Sequence, residues 1–263
     1  MASFSLVQSD AIAFLDSLPS ATVKACVTDI AYESLERHRA VGTTTRLKHS
    51  KSSSNDWFET FPNSRLPELF SGLYRALVPR SYALMFCDDP TNEVMRSAAR
   101  DAGFWVWGSW VWVKTAKKQP PGRDENSEEG PRLRTGMGYH GLKCTELILV
   151  LEKRTKKQVP HAEWTVRTNP TGEGKQLHDK VPEVFFCPRS DGDYPTEKPL
   201  PLLKTLVSLA ASPGDLLVDP FFGSASAGHA ALEHDCDFLG SDISDRALSE
   251  GRARLLSAGG VEL

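Results

Sequence analysis

Residues 212–244 read SPGDLLVDPFFGSASAGHAALEHDCDFLGSDIS, and this stretch decides the fold. Pro213, Gly214 and Asp215 form a turn, Leu216 to Val218 a short apolar strand, and Asp219 ends it. A loop with Gly223, Ser224, Ala225 and Ser226 follows, then a helix around Ala227 to Glu233. A second strand, Cys236 to Gly240, leads to a second acid, Asp242, about 20 residues past the turn. Strand, glycine-bearing turn, helix, strand and acid, in that order, make the plan of a nucleotide-type cofactor site. In that plan a helix N-terminus faces the ligand and the second acid takes ribose hydroxyls.

Outward from this stretch the chain alternates helix and strand. Residues 66–77 place Leu66, Leu69, Phe70, Leu73 and Leu77 on one helical face, and residues 81–86 (SYALMF) read as a buried strand. Asp89, Pro90 and Thr91 start a helix that Gly103 stops. Phe104 to Val113 carries Trp105, Trp107, Trp110 and Trp112 in near alternation, a pattern of core or sheet packing rather than of base stacking. Residues 144–153 (CTELILVLEK) are another strand, and Pro199 opens a helix that buries Leu202, Leu203, Leu206, Val207 and Ala210. Such alternation predicts an α/β fold with a mostly parallel sheet covered on both faces.

The 263 residues suit one large domain or two small ones, and 40% hydrophobic with 25% charged residues is the composition of a soluble globule. No apolar run reaches about 18 residues and the start, MASFSLVQSD, lacks the features of a signal peptide, so an intracellular, cytoplasmic protein without membrane contact is expected. The five cysteines, Cys26, Cys87, Cys144, Cys187 and Cys236, form no close pairs and read as reduced and structural, with no metal site. A net charge of −3 argues against a protein that coats nucleic acid by bulk electrostatics. Charge is nevertheless concentrated locally. Residues 37–51 hold Arg37, Arg39, Arg46, Lys48 and Lys51 with no acid, either a solvated surface loop or a hold on a phosphate backbone. A polar loop at 114–135 begins with Lys114, Lys117 and Lys118 and then turns acidic. The loops at about 33–60 and 114–135 are expected to be mobile.

One further stretch, CVTDIAY at 26–32, is a buried strand that runs into an acid and an aromatic ring, Asp29 and Tyr32. Taken with the C-terminal plan, the order of motifs resembles the β class, with permuted motif order, of DNA amino-methyltransferases. Members carry a strand ending DPPY near the start and, near the end, a lysine-proline helix, then DPFxGSG and an acid. Here these are Asp29, Ile30, Ala31 and Tyr32; Thr196, Glu197, Lys198 and Pro199; Asp219, Pro220, Phe221, Phe222, Gly223, Ser224 and Ala225; and Asp242. Gly136 to Tyr139, the strand Thr145 to Val150, and Ser9 and Asp10 near the start are also similar, so the resemblance covers nearly the whole chain.

The resemblance implies a doubly wound, seven-stranded, Rossmann-like sheet and methyl transfer from S-adenosylmethionine, leaving S-adenosylhomocysteine. The sulfonium makes transfer an in-line displacement, so positioning and charge placement do most of the catalysis. The acceptor is the exocyclic amine of a base swung out of DNA. Its lone pair is delocalised into the ring, and two hydrogen-bond acceptors free it for attack: the Asp29 carboxylate and the Ile30 carbonyl, with Tyr32 stacking on the base. Asp219 would accept from the methionyl amine, the Phe221 to Ala225 loop would wrap that end, and Asp242 would hold the ribose hydroxyls. Asp10 is a candidate for the cofactor's adenine amine, and Lys198 and Pro199 would line the methionine side.

Two positions depart from the family. Ile30 and Ala31 replace the paired prolines and loosen a turn that proline would fix. Ala225 replaces a glycine, so positive φ becomes less comfortable there. Asp first in the motif favours adenine N6 over cytosine N4, while a cytosine-C5 enzyme would need a thiolate nucleophile after a proline. The expected organisation is a catalytic half at 1–152, a small variable recognition region at 153–195 with Lys153, Arg154, Lys156, Lys157, Trp164 and Arg167, and a cofactor half at 196–263. DNA in a bacterial or phage-infected cell is the expected partner, and a homodimer is left open. A protein that keeps the fold as a DNA or cofactor binder and has lost transfer is the alternative from another class.

Overall fold

The computed structural model describes residues 2–33, 59–116, 144–154, 183–190, 192, 194 and 196–263. Nine strands form one sheet: β1 Ser3–Gln8, β2 Val23–Asp29, β3 Leu77–Cys87, β4 Trp105–Thr115, β5 Thr145–Lys153, β6 Val184–Pro188, β7 Leu216–Asp219, β8 Asp237–Asp242 and β9 Val261–Glu262. Their order is β6-β4-β5-β3-β2-β7-β8-β1-β9, and β5 alone runs antiparallel to its neighbours. The expected seven-stranded sheet is therefore its centre, and β6 and β9 extend it at the two edges. Residues 184–188, assigned from sequence to the recognition region, thus build the sheet, with Val111 to Thr115 as their partners in β4.

Helices α1 Ala11–Ser17, α2 Leu66–Ala76 and α3 Asp89–Asp101 cover one face, and α4 Leu200–Ala210, α5 Ser226–Glu233 and α6 Asp245–Ser257 the other. The near-continuous apolar runs of the central strands follow from this, because both faces are buried. In β3, Ala83, Met85 and Cys87 face the α1–α3 layer while Leu84 and Phe86 face the α4–α6 layer. Helix starts follow local capping chemistry: the Asp88 carboxylate accepts from the Thr91 amide at α3, and Ser244 caps α6 through the Ala247 amide. Gly103, at φ +102°, ends α3 as expected.

The tryptophan pattern divides. Trp112 is buried and Trp110 packs on the same core. Pairing with β5 slips at a bulge between Val106 and Gly108, which sets Trp105 opposite Glu152 on the face where Trp110 and Trp112 lie opposite Ile148 and Glu146. Trp105 and Trp107 stay 47% and 45% exposed, with the Arg154 guanidinium 3.7 and 4.9 Å from their ring centres. All five cysteines are free, and all but Cys144 are buried. Among the described residues no helix is long and apolar enough to cross a membrane, and no cluster of metal-ligating side chains occurs.

Close packing on the α4–α6 side depends on missing side chains. A Cβ at Gly240 in β8 would lie 2.8 Å from Phe222, 2.9 Å from Phe238 and 3.1 Å from Leu6. Gly240→Ala is expected to cost about 1–3 kcal/mol by overpacking, read as a lowered urea midpoint. A midpoint equal to that of the natural chain would show that the three side chains can move apart.

Candidate active site

Parallel strands β2, β7 and β8 end side by side in Asp29, Asp219 and Asp242. From β7 the chain crosses through α5 to β8 on one side, whereas β2 leads to β3 on the other. The carboxyl ends thus face a topological switch point, where α/β sheets open their binding crevice. A cavity of about 510 Å³ lies there, lined by all three acids and by Tyr32, Lys198 and the 220–224 turn, a size that suits a cofactor or ligand.

On the cofactor side, the Asp219 Oδ1 accepts the Thr28 hydroxyl at 2.6 Å and the Phe221 amide at 3.0 Å. The first bond ties the tip of β2 to that of β7. Burial pushes the Asp219 carboxyl up to about 7, although both hydrogen bonds favour its charge. Asp242 accepts the Gly223 amide at 3.0 Å and the Ser244 amide at 2.9 Å, and burial likewise raises it. Gly223 and Ala225 both take positive φ, +46° and 55°. The strain anticipated at Ala225 is present, at about 1–2 kcal/mol for a left-handed L-residue. Its methyl group is fully buried opposite Gly251 of α6, where an added Cβ would meet it at 3.2 Å.

On the base side, Lys198 forms a short ion pair with the Asp29 Oδ2 and reaches the Glu146 Oε1 at 3.4 Å. The Tyr32 hydroxyl donates to the same Glu146 oxygen at 3.1 Å, and Lys114 meets Oε2 at 3.3 Å. The Asp29 Oδ1 is shielded and has no hydrogen-bond partner among the described residues, although 27% of the side chain remains open. Burial pushes the Asp29 carboxyl up to about 6 against the pull of Lys198, with the Glu146 charge adding to the rise. Burial opposes the charges on Glu146 and Lys198 too, but their opposite partners outweigh it, so Glu146 sits below and Lys198 above its ordinary value. For Tyr32, burial and the acids around it raise the phenol well above its usual range.

The sequence-derived residues are distributed as follows. Asp29, Ile30, Ala31, Tyr32, Asp10, Lys198, Asp219 to Ser224 and Asp242 line the one cavity. Ala225 is buried behind it and Pro199 caps α4. Lys198 differs from its expected place: it bonds the candidate catalytic carboxylate rather than only lining the methionine side. Glu197 beside it is held by both Arg254 guanidinium nitrogens, at 3.0 and 2.8 Å, which anchors this segment to α6. Asp10 caps α1 through the Ile12 and Ala13 amides and takes Arg65 on both oxygens, at 2.9 and 2.8 Å. Its acceptor capacity is thus largely spent before any adenine amine arrives. The turn without prolines is secured otherwise: the Ile30 side chain is buried and the Ala31 carbonyl accepts the Phe61 amide at 2.6 Å.

Arg37, Arg39, Arg46, Lys48 and Lys51, then Lys117 and Lys118, then Lys156, Lys157 and Arg167, lie outside the described residues. Lys114, read from sequence as the start of a loop, belongs to β4 and to the acid-base cluster. Glu146, Thr28, Arg65 and Phe61 are site residues that sequence reasoning did not assign. Phe61 stacks edge-on against Phe221, with ring centres 5.2 Å apart.

A DNA methylase family model, N6_N4_Mtase, matches residues 23–252. DNA adenine methyltransferase YhdJ of Escherichia coli K12 is 35% identical over 85 residues, 30% of this chain and 29% of that protein. Type II methyltransferase M2.DpnII of Streptococcus pneumoniae is 30% identical over 160 residues, 60% of this chain and 54% of that protein. The matched stretches therefore span about half or less of these curated relatives. Among solved structures, a putative DNA modification methylase of Thermus thermophilus, complexed with S-adenosyl-L-methionine, superposes with a TM-score of 0.62 at 20% identity, covering 98% of this chain and 94% of that one. PvuII DNA methyltransferase, cytosine-N4-specific, gives 0.64 at 13% identity over 97% and 86%. These likenesses establish the fold, and with the family model spanning most of the sequence, the chain belongs to the N6_N4_Mtase family of DNA methylases.

Proposed function

We propose that this protein transfers a methyl group from S-adenosylmethionine to the exocyclic amine of a base swung out of DNA, with adenine N6 as the acceptor. The observation that carries the reading is the half-satisfied Asp29 carboxylate. One oxygen is tied to Lys198 and the other lacks a partner among the described residues, at the wall of the cavity that the glycine turn also lines. A buried acceptor without a donor costs about 1–3 kcal/mol, a cost relieved when an amine N–H arrives and the carboxyl group turns to meet it. Asp29, once charged, draws on that N–H and frees the nitrogen lone pair, while the Tyr32 ring at the cavity wall offers its face to the base. Catalysis then rests on placement and charge rather than on a protein nucleophile.

S-adenosylmethionine would supply the activated methyl group. The residues present fit it: Asp219 is buried and Asp242 half-buried, burial raises both, neither has an ion-pair partner among the described residues, and the turn between them approaches the cavity through Gly223. Asp219 suits the methionyl amine and Asp242 the ribose hydroxyls. The name of the Escherichia coli relative, an adenine methyltransferase, and Asp as the first motif residue both favour adenine.

Incubation with methyl-labelled cofactor and mixed-sequence duplex, followed by digestion to nucleosides, tests this directly. Label is expected in N6-methyladenine. Label in N4-methylcytosine instead would overturn the choice of base, and none in any nucleoside would overturn transfer to DNA.

A further inference from the structure

Glu146 is the second residue of β5, paired with Trp112 of β4, and its side chain is 11% exposed. Among the hydrogen bonds and ion pairs of the described residues, Lys198 is the partner it shares with Asp29. Yet its two oxygens take three groups from three different parts of the chain: Tyr32 after β2, Lys198 before α4, and Lys114 in β4. A buried carboxylate between two ammoniums gains little stability over an apolar replacement, so its presence calls for another reason. An ammonium beside a lone carboxylate can settle between both oxygens. Here Lys198 is shared between two carboxylates and is drawn onto the Asp29 Oδ2 alone, and the Asp29 Oδ1 is left without a donor.

Resting on the methyl-transfer reading above, we propose that Glu146 is a positioning residue: by pulling Lys198 to one side it keeps the second oxygen of Asp29 free of a donor, so that the carboxyl group can turn it to the base amine, and by accepting the Tyr32 hydroxyl it fixes the ring beside it. Without this carboxylate, Lys198 closes over both oxygens of Asp29 and Tyr32 loses its anchor. Lys198 and Lys114 favour the ionised form of Asp29 and Glu146 opposes it, while Asp219 and Cys87 sense the Asp29 charge from β7 and β3.

The test uses the full chain carrying ¹³C-labelled aspartate, with the Asp29 resonance assigned by its loss in Asp29→Asn. In Glu146→Gln the Asp29 titration midpoint is expected to fall by roughly one pH unit, because a like charge is removed and Lys198 tightens. Lys198→Gln should move it the other way. In methyl-transfer assays Glu146→Gln is expected to lower kcat by roughly 10²-fold with KM for DNA and cofactor affinity changed less than about threefold. Glu146→Asp, which keeps the charge, should recover part of both effects, and Tyr32→Phe should leave the Asp29 midpoint nearly in place. An unmoved midpoint in a folded Glu146→Gln, or wild-type kcat in that variant, overturns the proposal. A moved midpoint in a protein that labels no nucleoside supports the positioning and sinks the transfer reading instead. If Glu146→Gln does not fold, the Glu146→Asp and Lys198→Gln midpoints decide, and no movement in either overturns it.

Discussion

Asp29→Asn should reduce methyl transfer by about 10³-fold while cofactor affinity stays within about threefold of wild type. The change is small in volume, so its effect comes from hydrogen-bond direction. Lys198 needs an acceptor, and the amide oxygen must therefore turn to it. The amide nitrogen then occupies the place of the present Oδ1 and offers two donors to a base amine that is itself a donor. Asp219, Asp242 and the glycine turn are untouched, so the cofactor should bind as before. The fold should not suffer. A carboxyl whose folded value is about 6, above its ordinary 3.8, lowers stability increasingly as pH rises through that window, and asparagine removes this burden at pH 8. Single-turnover transfer, calorimetry with cofactor and thermal unfolding at pH 8 read the three effects separately. In the wild type, transfer should decline as pH falls through about 6, where Asp29 takes up a proton. Near-normal transfer in Asp29→Asn would remove this carboxylate from the reaction.

How much of this site the sequence carries depends on how local each feature is. The 212–244 stretch is legible because its turn, strands, helix and both acids are set by neighbours within a few residues. The strand ending at Asp29 is legible for the same reason, and parallel pairing of β2 with β7 brings the two stretches together. Glu146 is not. In CTELILVLEK it reads as a polar strand start, and only the antiparallel register that sets it opposite Trp112 turns it toward Lys198 and Tyr32. Lys198 stands next to Pro199 and invites a place on the cofactor side, but a lysine side chain reaches far enough to bond Asp29 across the cleft. Asp10 carried a signal that could have been used: an acid just before Ala11, Phe14 and Leu15, buried at helical spacing, marks a helix cap. Its partner Arg65 lies 55 residues away and nothing local announces it. The exposure of Trp105 and Trp107 is not an effect of alternation: the bulge before Gly108 keeps Trp105 on the face of Trp110 and Trp112, and only the fold shows that this end of β4 stays open to solvent.

Cofactor affinity itself should depend steeply on pH, and Asp219 sets the window. Burial raises this carboxyl from 3.8 to about 7 despite the Thr28 hydroxyl and the Phe221 amide that favour its charge. On the proposed assignment a cationic methionyl amine binds the ionised form, so below about pH 7 a proton must be released before the ion pair can form. Affinity should therefore weaken by roughly 50-fold from pH 7 to pH 5, approaching tenfold for each unit below pH 6, and binding near neutral pH should release a fraction of a proton, measurable by calorimetry in buffers of different ionisation enthalpy. Asp219→Asn should bind the cofactor roughly 10²-fold more weakly with a flat pH profile. The same substitution should stabilise the empty protein. Because the folded value lies above the unfolded one, Asp219 contributes a penalty that is absent below about pH 4 and complete above about pH 7. The asparagine oxygen can still accept from Thr28 and Phe221, so removing the charge should raise stability at pH 8 by on the order of 2 kcal/mol. Weaker binding together with a higher unfolding midpoint is a combination that simple structural damage cannot produce. A wild-type affinity that stays level between pH 5 and pH 8, or an Asp219→Asn protein that unfolds more easily at pH 8, would mean that this acid is not the cofactor's counter-charge.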